Sequence, residues 1–337
     1  MPDVVVVGDL ATDVVVLLDG DPAPGSDRPA SIRSRRGGAG ANVAVHLARL
    51  GTPVTFAGCV GDDAAGTALV AELAADGVTP AVRVVPGTAT GTIVSLVEPG
   101  GQRSMLADRG ANLALAPDDV PPPRRHLHLS GYTLFAPGPR AAGLAALAAA
   151  RAAGRTVSVD PASTGPLAAY GVERWLADTA AATLVLPNAD EARLLTGCPD
   201  PAAAARALAT RHPVAVVTLG AEGALWAAGD WLVHRPAHPA AVVDTTGAGD
   251  AFTAGLLSVW LADPDGDPAA ALEAGLSRAA AVVARPGARC GPLRGPAAGP
   301  VQRLRPRLGT RPELARGGED GVLLRAVRRT GSSFSAR

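Results

Sequence analysis

The chain has 337 residues, 47% of them hydrophobic, enough for the core of one large domain with a small appendage. Its 31 basic and 31 acidic residues cancel, which excludes polyanion binding by bulk charge, and every basic residue other than histidine is arginine, which excludes Schiff-base chemistry, a P-loop and the lysine-dependent site of protein kinases. Three cysteines, Cys59, Cys198 and Cys290, show no CxxC spacing, so neither a disulfide framework nor a zinc site is encoded.

The chain opens on MPDVVVVGDL, with an acid where a signal peptide carries positive charge and an apolar run cut by Asp9 and Asp13. The Ala-rich run from 141 is broken by Arg151, so no membrane span is expected, and a reducing cytoplasm fits best. Strands are predicted at 3–8, 53–58, 126–130, 156–160, 183–188 and 214–220. Between them lie helical stretches such as GANVAVHLARLG and GTALVAELAADG, closed by Gly51 and Gly77. That alternation predicts a parallel sheet covered by helices. Residues 13–36 and 90–108 break it: each reads as strand, Pro/Gly turn, strand, and together they predict a small β-layer able to act as a lid. His126 and His128 share one strand face, but with no third ligand near in sequence they read as structural histidines rather than a chelate.

The last segment changes character. Residues 294–337 hold ten arginines and three acids, net +7, against 21 basic and 28 acidic residues in 1–293, net −7. Its Pro, Gly and Arg content predicts a disordered, solvated extension. No aromatic residue stands between Arg294 and Arg329, so no nucleic-acid partner is expected.

Four motifs carry chemistry. In DTTGAGDAF (244–252), Gly247 and Gly249 can adopt backbone angles closed to other residues, so that their N–H groups and that of Ala248 converge on an anion where a helix begins. Asp250 then lies in the first helical turn, where it can take a proton from an attacking hydroxyl. A bare GAGD would serve equally as a capped helix start. In GGAGANVAVHLARLG (37–51) the glycines allow close backbone approach and Asn42 offers a donor and an acceptor. LPNADEARLLTG places Asn188 at a strand end and Glu191 in the following helical turn, at the edge where open α/β sheets bind ligands. VTLGAEGALW (217–226) leaves a buried strand through Thr218, Gly220 and Gly223.

The nine residues of DTTGAGDAF, with the other motifs in order over about residues 3–292, resemble the ribokinase-like family, the phosphofructokinase-B type of sugar and nucleoside kinases. The resemblance implies a three-layer α/β/α domain over 1–293 with a mostly parallel central sheet and a small β-sheet lid. It implies ATP-dependent transfer of the γ-phosphate to a hydroxyl, expected to be primary, of a small carbohydrate, with Asp250 as base and Gly247–Gly249 as anion hole. Asp13, Gly38, Ala39 and Asn42 would meet the sugar, and Asn188, Thr218, Gly220, Gly223 and Gly249 the ATP. Glu191 would serve Mg²⁺ through water. A monovalent cation such as K⁺ would map onto Asp244, Thr246, Val282, Arg285 and Gly287, and a homodimer would form through the lid. Two departures put ribose in question: Ala39 stands where ribokinases proper have a lysine, and Ser130 where they have a glutamate. Arg109 is either an exposed arginine or a partner for an acidic sugar. A nucleoside kinase of the same fold and a non-catalytic sugar or nucleotide sensor are the competing readings; low aromatic content, 3%, disfavours the first and an intact Asp250 the second.

Overall fold

A computed structural model describes residues 3–20, 25–98, 103–284 and 323–325. In chain order, the strands are β1 (Val4–Val7), β2 (Ala11–Leu18), β3 (Ala30–Gly37), β4 (Val54–Gly61), β5 (Thr79–Val85), β6 (Gly91–Val97), β7 (Arg103–Asp108), β8 (His126–Ser130), β9 (Thr156–Asp160), β10 (Leu184–Val185), β11 (Val214–Thr218), β12 (Ala224–Ala228), β13 (Trp231–Arg235) and β14 (Leu323–Arg325). The helices are α1 (Ala39–Arg49), α2 (Ala64–Ala75), α3 (Pro137–Ala152), α4 (Thr164–Tyr170), α5 (Val172–Asp178), α6 (Ala189–Thr196), α7 (Pro201–Ala209), α8 (Ala248–Trp260) and α9 (Pro268–Val283).

The large sheet runs β14-β13-β12-β11-β10-β9-β8-β1-β4-β5 and is parallel from β5 to β11. The VVVV of β1 shows why it sits in the middle: successive side chains point to opposite faces, Val4 and Val6 into one apolar cluster with α1 and α8, Val5 and Val7 into another with α3. Helices therefore cover both faces, giving the three-layer α/β fold the sequence predicts. The second sheet, β3-β2-β6-β7, joins two hairpins through the parallel β2–β6 pair, at the positions read as a lid.

Three differences from the sequence reading concern the sheet. β10 is two residues long where six were expected, β12 and β13 extend the sheet antiparallel, and β5 adds an edge. Within the tail read as disordered, Leu323–Arg325 pair with β13; its other residues lie outside the described ones. Among the described residues no helix is long and apolar enough to cross a membrane.

Candidate active site

The motif residues converge at the C-terminal ends of the parallel strands, where open α/β sheets offer a crevice. The turn after β1 and the start of α1 are locked together by absent side chains. Gly38 sits at φ 102°, and a Cβ there would lie 2.1 Å from the Asp9 carbonyl oxygen, while one on Gly40 would lie 2.9 Å from the Gly8 Cα. The glycine loop thus lets two backbones touch, and this seats Ala39 and Asn42 in the first turn of α1.

Asn42 reaches across 208 positions of sequence: its Nδ2 donates to Asp250 Oδ2 at 2.8 Å. Asp250 is half-buried in the first turn of α8. Burial pushes its carboxyl up to about 7; the Asn42 hydrogen bond opposes that rise and the nearby Asp160 adds to it. A carboxyl poised there can exchange a proton at neutral pH.

Gly247, at φ 75°, starts α8, and no side chain caps the helix. The amide of Ala248 donates to Thr245 O at 3.2 Å, so it serves the turn in this conformation. Only Gly247 needs a left-handed backbone. Gly249 is helical, and a Cβ there would meet nothing within 4 Å, so its missing side chain leaves space open rather than permitting a turn. That corrects the expectation that both glycines adopt unusual angles.

On β2 of the small sheet, Asp13 is 7% exposed. Arg35 Nε donates to its Oδ2 at 3.0 Å, and its Oδ1 is buried with no partner. A buried, unpaired carboxylate oxygen is costly alone and suits a hydroxyl donor. Arg109 is neither exposed nor open to an acidic ligand, because it grips Asp9 with two hydrogen bonds of 2.7 and 2.8 Å. Asn112, near-symmetrically bonded to the amide and carbonyl of Leu10 at 2.9 Å each, is a clamp on that turn.

Asn188 and Glu191 form a reciprocal cap on α6: each backbone N–H donates to the other's side chain at 2.9 Å. Glu191 is nevertheless 3% exposed, not a surface residue. Desolvation and the Asp160 carboxylate push it well above the usual range, and burial pushes Asp160 up as well. Asp160, at the end of β9, lies in the field of both Glu191 and Asp250, and Tyr132 stands among Asp160, Asp9 and Glu191. Sequence reasoning missed it, although its position, an acid closing a parallel strand, was a usable signal. The buried Glu191 and the half-buried Asp160 supply carboxyl oxygens, the donor type a hard divalent cation takes, although among the described residues no group of three His, Cys, Asp or Glu forms a metal cage.

An isolated bridge pairs Asn188 with Thr218, bringing that acidic cluster beside the start of a cavity of about 550 Å³. Thr218, Gly220, Gly223 and Gly249 line it, together with Phe252 and Ala279. Asp244 Oδ1 accepts from Thr246 N (2.9 Å) and Oγ1 (2.7 Å), and the carbonyl of Val283, next to Val282, accepts from the Val243 and Asp244 amides. Arg285 and Gly287 lie outside the described residues. Away from the cleft, Ser158 bonds both His126 and His128 at 2.8 Å, and burial holds these imidazoles down at about 3 and 4, hence neutral. Ser130 keeps a buried hydroxyl without a partner beside Gly8.

Residues 1–293 match the family described as pfkB family carbohydrate kinase. The chain is 36% identical to a fructokinase of Klebsiella pneumoniae over 72% of its own length and 82% of that protein's. It is 34% identical to an ATP-dependent ribose-1-phosphate kinase of Halopiger xanaduensis over 81% of this chain and 90% of the other. Its backbone is similar to that of aminoimidazole riboside kinase from Salmonella enterica, solved with aminoimidazole riboside and an ATP analog, with a TM-score of 0.73, 30% identity and coverage of 85% and 94%.

Proposed function

The chain belongs to the pfkB family of carbohydrate kinases, and from that premise we propose that it transfers the γ-phosphate of ATP to a hydroxyl, expected to be primary, of a small sugar, with Asp250 as the base. The acceptor hydroxyls meet Asp13 Oδ1 and Asn42. Asp250 takes the proton of the attacking hydroxyl while the new oxygen–phosphorus bond forms and the bond to the β-phosphate oxygen breaks, releasing ADP. The amides at the start of α8 face the equatorial oxygens, helped by roughly half a positive charge from the helix dipole. Glu191 and Asp160 would hold Mg²⁺, which, when bound, neutralises β- and γ-phosphate charge. The adenosine end of ATP fills the cavity under Thr218, Gly220 and Gly223.

One observation carries this reading: Asp250, with its carboxyl pushed up to about 7, is held by the amide of Asn42, a residue of the sugar motif. A sensor would have no use for such a base. The test is phosphoryl transfer from ATP across neutral sugars, sugar phosphates and nucleosides, with Asp250→Asn as control. Transfer to a sugar supports the reading; a nucleoside as the preferred acceptor moves it to the nucleoside kinases, and ligand binding without transfer favours the sensor.

The lid also supports an oligomer. Register places Ile32, Val16 and Leu96 in one row and Val14, Val94 and Leu106 in another on the same face, with Ile32 64% and Leu106 59% exposed. A second copy of this chain packed there would cover that face, and sedimentation velocity of Ile32→Arg would then show a monomer.

A further inference from the structure

Resting on the reading of this cleft as a phosphoryl-transfer site, we propose that Arg35 is a positioning residue that sets the acceptor carboxylate and the anion turn in register. Arg35 lies on β3 directly opposite Asp13 on β2. Its Nε holds Asp13 Oδ2 at 3.0 Å, and its Nη2 stands 3.7 Å from Asp244 Oδ2. The three side chains are 18%, 9% and 14% exposed, so the charges are poorly screened.

Each acid governs one half of the reaction. Asp13 keeps its second oxygen, Oδ1, buried and unpartnered, and with Oδ2 fixed by Arg35 the direction of that free acceptor is fixed too. Asp244 binds the Thr246 amide and hydroxyl through Oδ1 and so shapes the turn that leads into Gly247 and α8. Without a cation between them the two carboxylates would repel; with one guanidinium bonded to Asp13 and 3.7 Å from Asp244, a displacement of the lid strand displaces the anion turn. The planar fork of arginine has donors on two edges for two carboxylates, whereas an ammonium is a single point of charge. This ion pair ties the lid sheet to the loop before α8.

The test compares Arg35→Lys and Arg35→Ala with wild type in the full chain, using the best neutral acceptor of the panel, D-fructose or D-ribose. For Arg35→Ala the acceptor KM rises and kcat falls, each about tenfold or more, with the KM for ATP within about threefold of wild type. Arg35→Lys keeps the contact to Asp13 and loses the bridge, so it restores the acceptor KM and leaves kcat depressed. An acceptor KM that falls in Arg35→Ala would mean the guanidinium obstructs the sugar, and unchanged kcat and KM with a lower melting temperature would mean it only stabilises the fold; either overturns the proposal. A wild type that transfers to no acceptor refutes the reading of the cleft instead. The proposal is then judged by double-mutant cycles in thermal unfolding, where Arg35 must couple to both Asp13 and Asp244, and coupling to Asp13 alone overturns it.

Discussion

On the side of the cleft that the proposed function gives to the acceptor, charged and amide groups meet in pairs at 2.7 to 3.0 Å: Arg109 with Asp9, Arg35 with Asp13, Asn42 with Asp250. On the other side, Ala248, Phe252, Leu276 and Ala279 surround a cavity of about 550 Å³ in which glycines and alanines make room and few charges intrude. Directed polar pairs lose strength within an ångström of misplacement, whereas an apolar wall tolerates change until volume runs out. The acceptor side should therefore control rate, and the cavity side affinity for nucleotide.

The largest effect that tests this division is expected from Asp250→Asn. Transfer should fall on the order of 10²- to 10⁴-fold while binding of an ATP analog, read by calorimetry, stays within about threefold. Comparable loss of both would erase the division. From the opposite side, Ala279→Phe fills the cavity, and steady-state kinetics should give a KM for ATP raised about tenfold or more with the acceptor KM unchanged. Gly249→Ala sits on the border between the halves. Its backbone is helical and its surroundings empty, so stability should hold or rise by up to about 1 kcal/mol, yet transfer should drop about tenfold as the methyl enters the phosphoryl space. A destabilised Gly249→Ala would mean the glycine serves the fold instead.

The smallest effect is on stability. Asp250 has a folded-state pKa of about 7 against roughly 3.9 unfolded, so between those values the native state keeps a proton the unfolded chain has released. Its contribution therefore becomes more unfavourable as pH rises from about 4 to about 7 and then levels off. Asn cannot ionise, so Asp250→Asn should melt a few degrees above wild type at pH 8 and match it near pH 4. The buried neutral His126 and His128 act in the opposite direction, destabilising both proteins alike as pH falls below about 6.5, and they cancel in the difference.

The sequence showed the layered fold because β-branched runs such as VVVV alternate with Ala/Leu helices, a pattern set by burial on both sheet faces. β12, with ALWAA, lacks β-branched residues, and β5 carries Pro80, so neither stood out by composition. The motifs named Asp250, Asn42, Asp13 and Glu191, but not how they meet. Asn42 and Asp250 are 208 positions apart, and only the folded sheet brings them to 2.8 Å. Asp160 closes a strand with no motif around it, and Arg35, a charge on a strand of the small sheet, looks solvated until its two partners are in place. Residue type gives Gly249 a backbone role, while its local geometry gives it a steric one.

The claim at the centre, that the carboxyl at position 250 accepts the proton of the attacking hydroxyl, is tested most directly by the pH dependence of kcat/KM for the acceptor. The account predicts a value that rises about tenfold per pH unit up to about 7 and is level above, with this limb missing from the residual activity of Asp250→Asn. A level profile from about pH 5.5 to 8 in the wild type, or the same limb persisting in the variant, would contradict it.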